Sequence, residues 1–186
     1  MPLPLLSHRE RGLRLKALSP PLASEGSSLS RNSEPSGQRS TLGTVNTLFP
    51  ATTTSVAETL SLGERLAAEL QPGDVIALTG DLGAGKTHLA KGIARGLGAD
   101  PDEVTSPTFT LVQEYATDPP LRHLDLYRIE RDGELDGIGL DEMLADMEAI
   151  MLIEWPERAA DRLPPEAIRL HLSHEGGDTR RIERLS

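Results

Sequence analysis

The sequence predicts an α/β fold: one domain built on a mixed, mostly parallel sheet with an antiparallel hairpin in it and helices on both faces. Three stretches predict it. Residues 74–79 form a short apolar run that passes through a glycine-rich turn into a helical pattern at 86–97. Residues 108–115 and 121–127 read as strands joined by the link 116–120, whose length and composition suit a hairpin. Residues 149–153 form a further apolar run of strand length.

Taken in chain order, residues 1–48 are rich in Ser, Pro, Gly, Leu and Arg with no helical or strand period, and are expected to be a disordered tail ahead of a domain at 49–186. The tail is basic and serine-rich but has no amphipathic helix and no signal-peptide core. Ser55 followed by Glu58 is a capping-box pattern, and Val56, Leu60, Ala67 and Leu70 share one face, so a helix is expected from there to about Leu70. Pro72 and Gly73 stop it. After the strand at 74–79, Leu89, Ile93 and Leu97 recur every four residues, and Gly98 is placed to end that helix. Residues 140–147 are expected to form a short acidic helix, 149–153 a buried strand, and 168–172 with 180–185 edge strands.

Composition narrows the function. No stretch approaches the ~20 apolar residues needed to cross a bilayer, so no membrane association is expected. There is no cysteine, which rules out disulfides and thiolate metal cages and fits a cytoplasmic location. The five histidines show no ligand-like spacing. Net charge is −10, and because residues 1–48 carry six Lys or Arg against three Asp or Glu, the rest of the chain carries −13. A surface that repels phosphates is poorly suited to gripping nucleic acid directly, since that affinity comes from cations displacing counterions.

The glycine-rich turn, residues 80–87, reads Gly-Asp-Leu-Gly-Ala-Gly-Lys-Thr, which matches G-x-x-x-x-G-K-[ST] between a hydrophobic strand and a helix start. That is a phosphate-binding P-loop, and it makes the predicted domain P-loop NTPase-like. Its glycines let main-chain amides approach a phosphate, and the helix beginning near Lys86 adds the positive end of its dipole. Asp81, Leu82, Gly83, Ala84, Gly85, Lys86, Thr87 and His88 are the expected nucleotide-binding residues. Lys86 is assigned to the β- and γ-phosphates of ATP and the Thr87 hydroxyl to Mg²⁺.

Such a site also needs carboxylates to hold metal and place water. Asp125 in His-Leu-Asp-Leu-Tyr-Arg and Glu154 in Leu-Ile-Glu-Trp-Pro-Glu-Arg each interrupt an apolar run, where a buried acid without a partner is costly. Both are candidates for catalysis with Lys86 and for the metal with Thr87, the alternative for each being a strand-end acid that faces solvent or pairs with an arginine. Thr105-Ser106-Pro107-Thr108 supplies hydroxyls on a proline-stiffened segment, which reads either as a switch-like loop or as a capped turn. Trp155, the single tryptophan, stands beside Glu154. Ser55, Thr59, Arg180 and Arg181 are further residues with a possible approach to the nucleotide, for which capping and surface roles are simpler.

These residues together resemble the TsaE family, also called YjeE. The resemblance rests on five blocks in one order: Leu-Gly-Glu-Arg at 62–65, the P-loop at 80–87, Thr-Ser-Pro-Thr-Phe-Thr-Leu-Val at 105–112, His-Leu-Asp-Leu-Tyr-Arg at 123–128 and Ile-Glu-Trp-Pro-Glu at 153–157. It implies a magnesium-dependent ATPase that acts with the TsaB and TsaD proteins in forming N6-threonylcarbamoyladenosine (t6A) in tRNA, meeting tRNA only through those partners. It also implies Lys86 as the phosphate lysine, Thr87 and Glu154 as magnesium ligands, and Asp125 as the Walker B-like acid that either binds metal or positions water. Phe109 stands where a tyrosine is also common in the family.

Two other functions use the same loop. A small-molecule kinase normally needs a lid bearing arginines, whereas 132–148 is mainly acidic and has none. A nucleotide-dependent binding switch would need the loop but not turnover. Arg128 and Arg158 are the local candidates for an arginine finger, but each reads more simply as solvated or paired with a carboxylate, so hydrolysis is expected to be slow until a partner assists.

Overall fold

A computed structural model describes residues 41–100, 103–159 and 161–185. The expected tail therefore lies outside the described residues as far as 40. Its boundary at 48 is too late, because residues 41–48 form helix α1 (Thr41–Leu48), whose Val45 is fully buried. Strand β1 (Ala51–Thr53) follows; at three residues it is too short to show a strand period. Helix α2 (Val56–Ala67) begins at the expected cap, with the Glu58 amide donating to Ser55 Oγ at 3.2 Å. Strand β2 (Val75–Thr79) leads through the glycine turn into helix α3 (Lys86–Gly96).

The hairpin forms from β3 (Val112–Tyr115) and β4 (Leu121–Asp125), paired antiparallel with Gln113 opposite His123. The first strand is shorter than the expected 108–115. Residues 106–111 instead turn, because the hydroxyls of Ser106 and Thr108 are drawn to Asp125, and Leu111 takes a positive φ of 64° where the turn ends. Two short helices, α4 (Asp132–Gly137) and α5 (Leu140–Ala145), occupy the acidic stretch where one was expected. Gly139, at φ 70°, separates them. Strand β5 (Ile150–Glu154) and a 3₁₀ turn (Pro156–Ala159) come next, then β6 (Ile168–Gly176) and β7 (Thr179–Arg184).

The sheet order is β1-β7-β6-β2-β5-β4-β3. Its four central strands, β6, β2, β5 and β4, run parallel, and antiparallel pairs flank them on both sides. Strands β6 and β7 are thus both internal rather than edges as expected: β6 is hydrogen-bonded to β2 and β7, β7 to β6 and β1, and β1 closes that edge. The alternating burial of β6 had been compatible with either position.

Period-2 alternation sends successive strand residues to opposite faces. Ile76, Leu78, Ile150 and Leu152 pack with Leu62 and Leu66 of α2 and Leu89 and Ile93 of α3; Val75, Ala77, Met151 and Ile153 pack with Leu135 of α4 and Leu140 of α5. Helices therefore cover both faces, as the sequence predicted. Helices α2 and α3 touch backbone to backbone through Gly63 and Gly92. On the other face Arg162 bonds Asp132, Asp136 and Asp141, tying α4 and α5 to the segment after β5.

Candidate functional site

Strands β2, β4 and β5 are parallel neighbours, so their carboxyl ends lie together; the register sets Leu78 beside Glu154 and Glu154 beside Asp125. A crevice at the carboxyl ends of parallel strands is where α/β sheets take ligands. Here the glycine loop leaves β2 at that end and two acids sit on the adjoining strands. The resulting cleft has a volume of about 200 Å³.

Gly80 opens the loop at φ 132°, and a Cβ on it would lie 2.1 Å from the Leu172 carbonyl oxygen, so no other residue fits between β2 and β6 there. Gly85 ends the loop in the left-handed region at φ 104° and caps α3, so the chain turns abruptly into the helix whose first residues are Lys86 and Thr87. The first amides of such a helix have no intrahelical acceptor and favour an anion. Leu82, Gly83, Gly85, Lys86, Thr87 and His88 border the cleft. Ala84 is fully buried with its methyl group in the core, which leaves only its main chain for the loop, and Asp81 is exposed outside the lining.

Lys86 is only 4% exposed. Its Nζ donates to the carbonyls of Gly80 at 2.6 Å and Asp81 at 3.0 Å and lies 4.0 Å from the centre of the Trp155 ring. Burial lowers its pKa from the usual lysine value, opposed by the charges of Glu154, Glu157, Asp125 and Asp81. Trp155 reaches this position because its backbone is left-handed, at φ 58°, immediately after Glu154; its ring also packs on Tyr127 at 5.0 Å.

The two acids are buried, Asp125 at 3% and Glu154 at 2% exposure, and both are fully engaged. Asp125 Oδ2 accepts from Thr108 Oγ1 at 2.5 Å and from Ser106 Oγ at 3.2 Å, while Oδ1 accepts from the Tyr127 amide at 3.0 Å. Thr87 Oγ1 donates to Glu154 Oε2 at 3.3 Å, and the other oxygen, Oε1, is 3.0 Å from His123 Nε2. The hydroxyl segment expected at 105–108 thus does reach the site, through Ser106 and Thr108. Among the described residues no group of three or more His, Cys, Asp or Glu side chains is arranged to hold a metal by itself. Thr87 Oγ1 and Glu154 Oε2 nevertheless offer hard oxygen donors of the kind a small divalent cation takes when phosphate oxygens and water complete its shell.

The other residues considered for the nucleotide divide. Ser55 caps α2, and Thr59 bonds Thr53 and the Ser55 carbonyl, so both serve the start of that helix. Arg181 pairs with Glu183. Arg180 lies against the loop: a Cβ on Gly85 would be 3.7 Å from its side chain. Sequence reasoning missed two residues, His123 and Tyr127. His123 stands two positions before Asp125, which on a strand means the same face, so the signal was available in the spacing. Tyr127 had none, since it lies beyond the strand end.

A family-wide profile described as "Threonylcarbamoyl adenosine biosynthesis protein TsaE" matches residues 53–182. Among curated relatives, the chain is 41% identical over 131 residues to the "tRNA threonylcarbamoyladenosine biosynthesis protein TsaE" of Bacillus subtilis (strain 168), covering 70% of this chain and 80% of that protein. It is 39% identical over 122 residues to the protein of the same name from Streptomyces coelicolor, covering 63% and 80%. Among solved structures it is similar to the crystal structure of YdiB of Bacillus subtilis, with a TM-score of 0.59 and 36% identity over 72% of this chain and 82% of that one.

Proposed function

The chain belongs to the TsaE family, and on that premise we propose that it is a magnesium-dependent ATPase required for forming N6-threonylcarbamoyladenosine in tRNA, acting with the TsaB and TsaD proteins. The observation that carries this reading is the convergence of Lys86, Thr87, Asp125 and Glu154 on one cleft from three different strand ends.

In this reading the loop and the start of α3 cradle the polyphosphate of ATP. Lys86 exchanges its two carbonyl partners for phosphate oxygens, which bind an ammonium more strongly because they are charged. Thr87 and Glu154 would hold magnesium, which when bound would neutralise charge on the phosphates. Asp125, its carboxylate fixed by three donors, accepts a hydrogen bond from the attacking water and aims it. Ser106 and Thr108 connect that acid to the 105–111 turn, so the turn follows the occupant of the cleft.

No arginine borders the cleft among the described residues. Arg128 is stacked 4.3 Å from the exposed Phe109 ring, in a neighbouring groove with Arg158. Turnover by the isolated chain is therefore slow, and partner proteins raise it. An acidic chain reaches tRNA through those partners rather than by its own surface.

The test has two arms. Calorimetry should give ATP binding that strengthens with magnesium and is lost in Lys86→Ala; unchanged binding in the variant refutes the site. Reconstitution with TsaB, TsaD, tRNA and threonylcarbamoyl-adenylate should give multiple-turnover t6A formation only with this chain, and equal yield without it refutes the role.

A further inference from the structure

The His123 imidazole is 1% exposed and sits on β4, across from β5, with its Nε2 3.0 Å from Glu154 Oε1. An ionised carboxylate can only accept, so Nε2 carries the proton of this bond. The pairing register makes the contact diagonal: His123 is level with Leu152, and Glu154 lies two residues further along, level with Asp125. His123 and Asp125 stand two apart on β4, level with Leu152 and Glu154 on β5, so all four side chains share the face that α3 covers. The end of a glutamate side chain turns easily about a two-fold torsion, which would make its two oxygens interchangeable. With Oε1 committed to His123, they are not: only Oε2 stands at Thr87 Oγ1, 3.3 Å away.

We infer that His123 is a positioning residue that locks the Glu154 carboxylate in one orientation, so that Glu154 serves the cleft through the single oxygen Oε2. The inference rests on the magnesium–ATP reading above. It adds that the cation ligand acts through one oxygen and depends on a buried imidazole behind it. Partners of this kind behind a ligating carboxylate typically carry about 10- to 100-fold in metal affinity.

The test measures binding of a fluorescent ADP analogue with magnesium and with EDTA, in wild type, His123→Leu and His123→Gln. The magnesium-dependent gain in affinity should fall about tenfold or more in His123→Leu. Affinity in EDTA should stay within about twofold, and the Gln amide, which reaches Glu154, should restore most of the gain. A full gain in His123→Leu, an equal fall in EDTA, or a Gln variant as poor as Leu overturns the inference. Should His123→Leu not fold, His123→Asn, one methylene short of Glu154, replaces it at matched melting temperature. Nitrogen NMR of the His123 ring supplies a metal-free readout: a proton on Nε2 is expected, displaced in its shift by Glu154→Gln, and a proton on Nδ1 alone overturns the inference. If wild type shows no magnesium gain, the magnesium reading fails, while the ring spectrum still decides the His123–Glu154 contact.

Discussion

Replacing Gly92 with alanine separates two opposing effects cleanly. Gly92 lies in α3 with ordinary helical backbone, so alanine there gains about 1 kcal/mol of helix propensity. The added Cβ, however, would stand 2.2 Å from the Leu60 carbonyl oxygen and 3.0 Å from Gly63 Cα. Restoring an ordinary contact of 3.4 Å demands a separation of about 1.2 Å between α2 and α3, and both obstacles are main chain that cannot rotate aside. Overpacking of this kind costs about 1–3 kcal/mol, and the backbone contact puts it at the upper end, so net destabilisation is about 2 kcal/mol. Urea denaturation measures it, with Gly133→Ala as control: nothing lies within 4 Å of that position in α4, and about 0.5–1 kcal/mol of stabilisation is expected there. Because α3 begins at Lys86 and Thr87, the displaced helix should also weaken ATP binding. A Gly92→Ala protein as stable as wild type refutes the packing argument.

Thr108→Val removes the shortest donor to the buried Asp125 carboxylate while keeping side-chain shape; a loss of about 2 kcal/mol is expected by denaturation, largely absent when Asp125→Asn is already present. Lys86 has a folded pKa below its unfolded value, so the unfolded chain binds more protons between those two values and the burial cost of the charge is relieved as pH rises through that window. The stability of wild type relative to Lys86→Met should accordingly increase as pH is raised toward 10.5, and a difference flat with pH contradicts it. Trp155 emission should change on ATP binding, because Lys86 leaves the ring to meet phosphate; Lys86→Met should abolish the response in the same titration.

Several features were legible because they depend on local chemistry. The Ser55 cap, the β2–loop–α3 unit and the β3–β4 hairpin follow from spacing and turn residues, and each forms as expected. Within the turn at 106–111, residues 108–111 were read as strand because its pull comes from Asp125, 17 residues beyond Thr108 and invisible to a local pattern. The place of β6 in the sheet was misjudged for a similar reason. Burial on alternate residues identifies a strand but does not count its neighbours.

The sequence by itself determined the chemistry of the loop: Gly80, Gly85, Lys86 and Thr87 are tied to one another by the backbone turn they share, so their roles travel with the motif. Only the tertiary structure decided which acids answer that loop and through which atoms. Asp125 and Glu154 share a cleft with the P-loop, and His123 backs Glu154, because β4 and β5 lie parallel beside β2 in a fixed register, and hydrogen bonds across strands, rather than adjacency along the chain, set the distances between them.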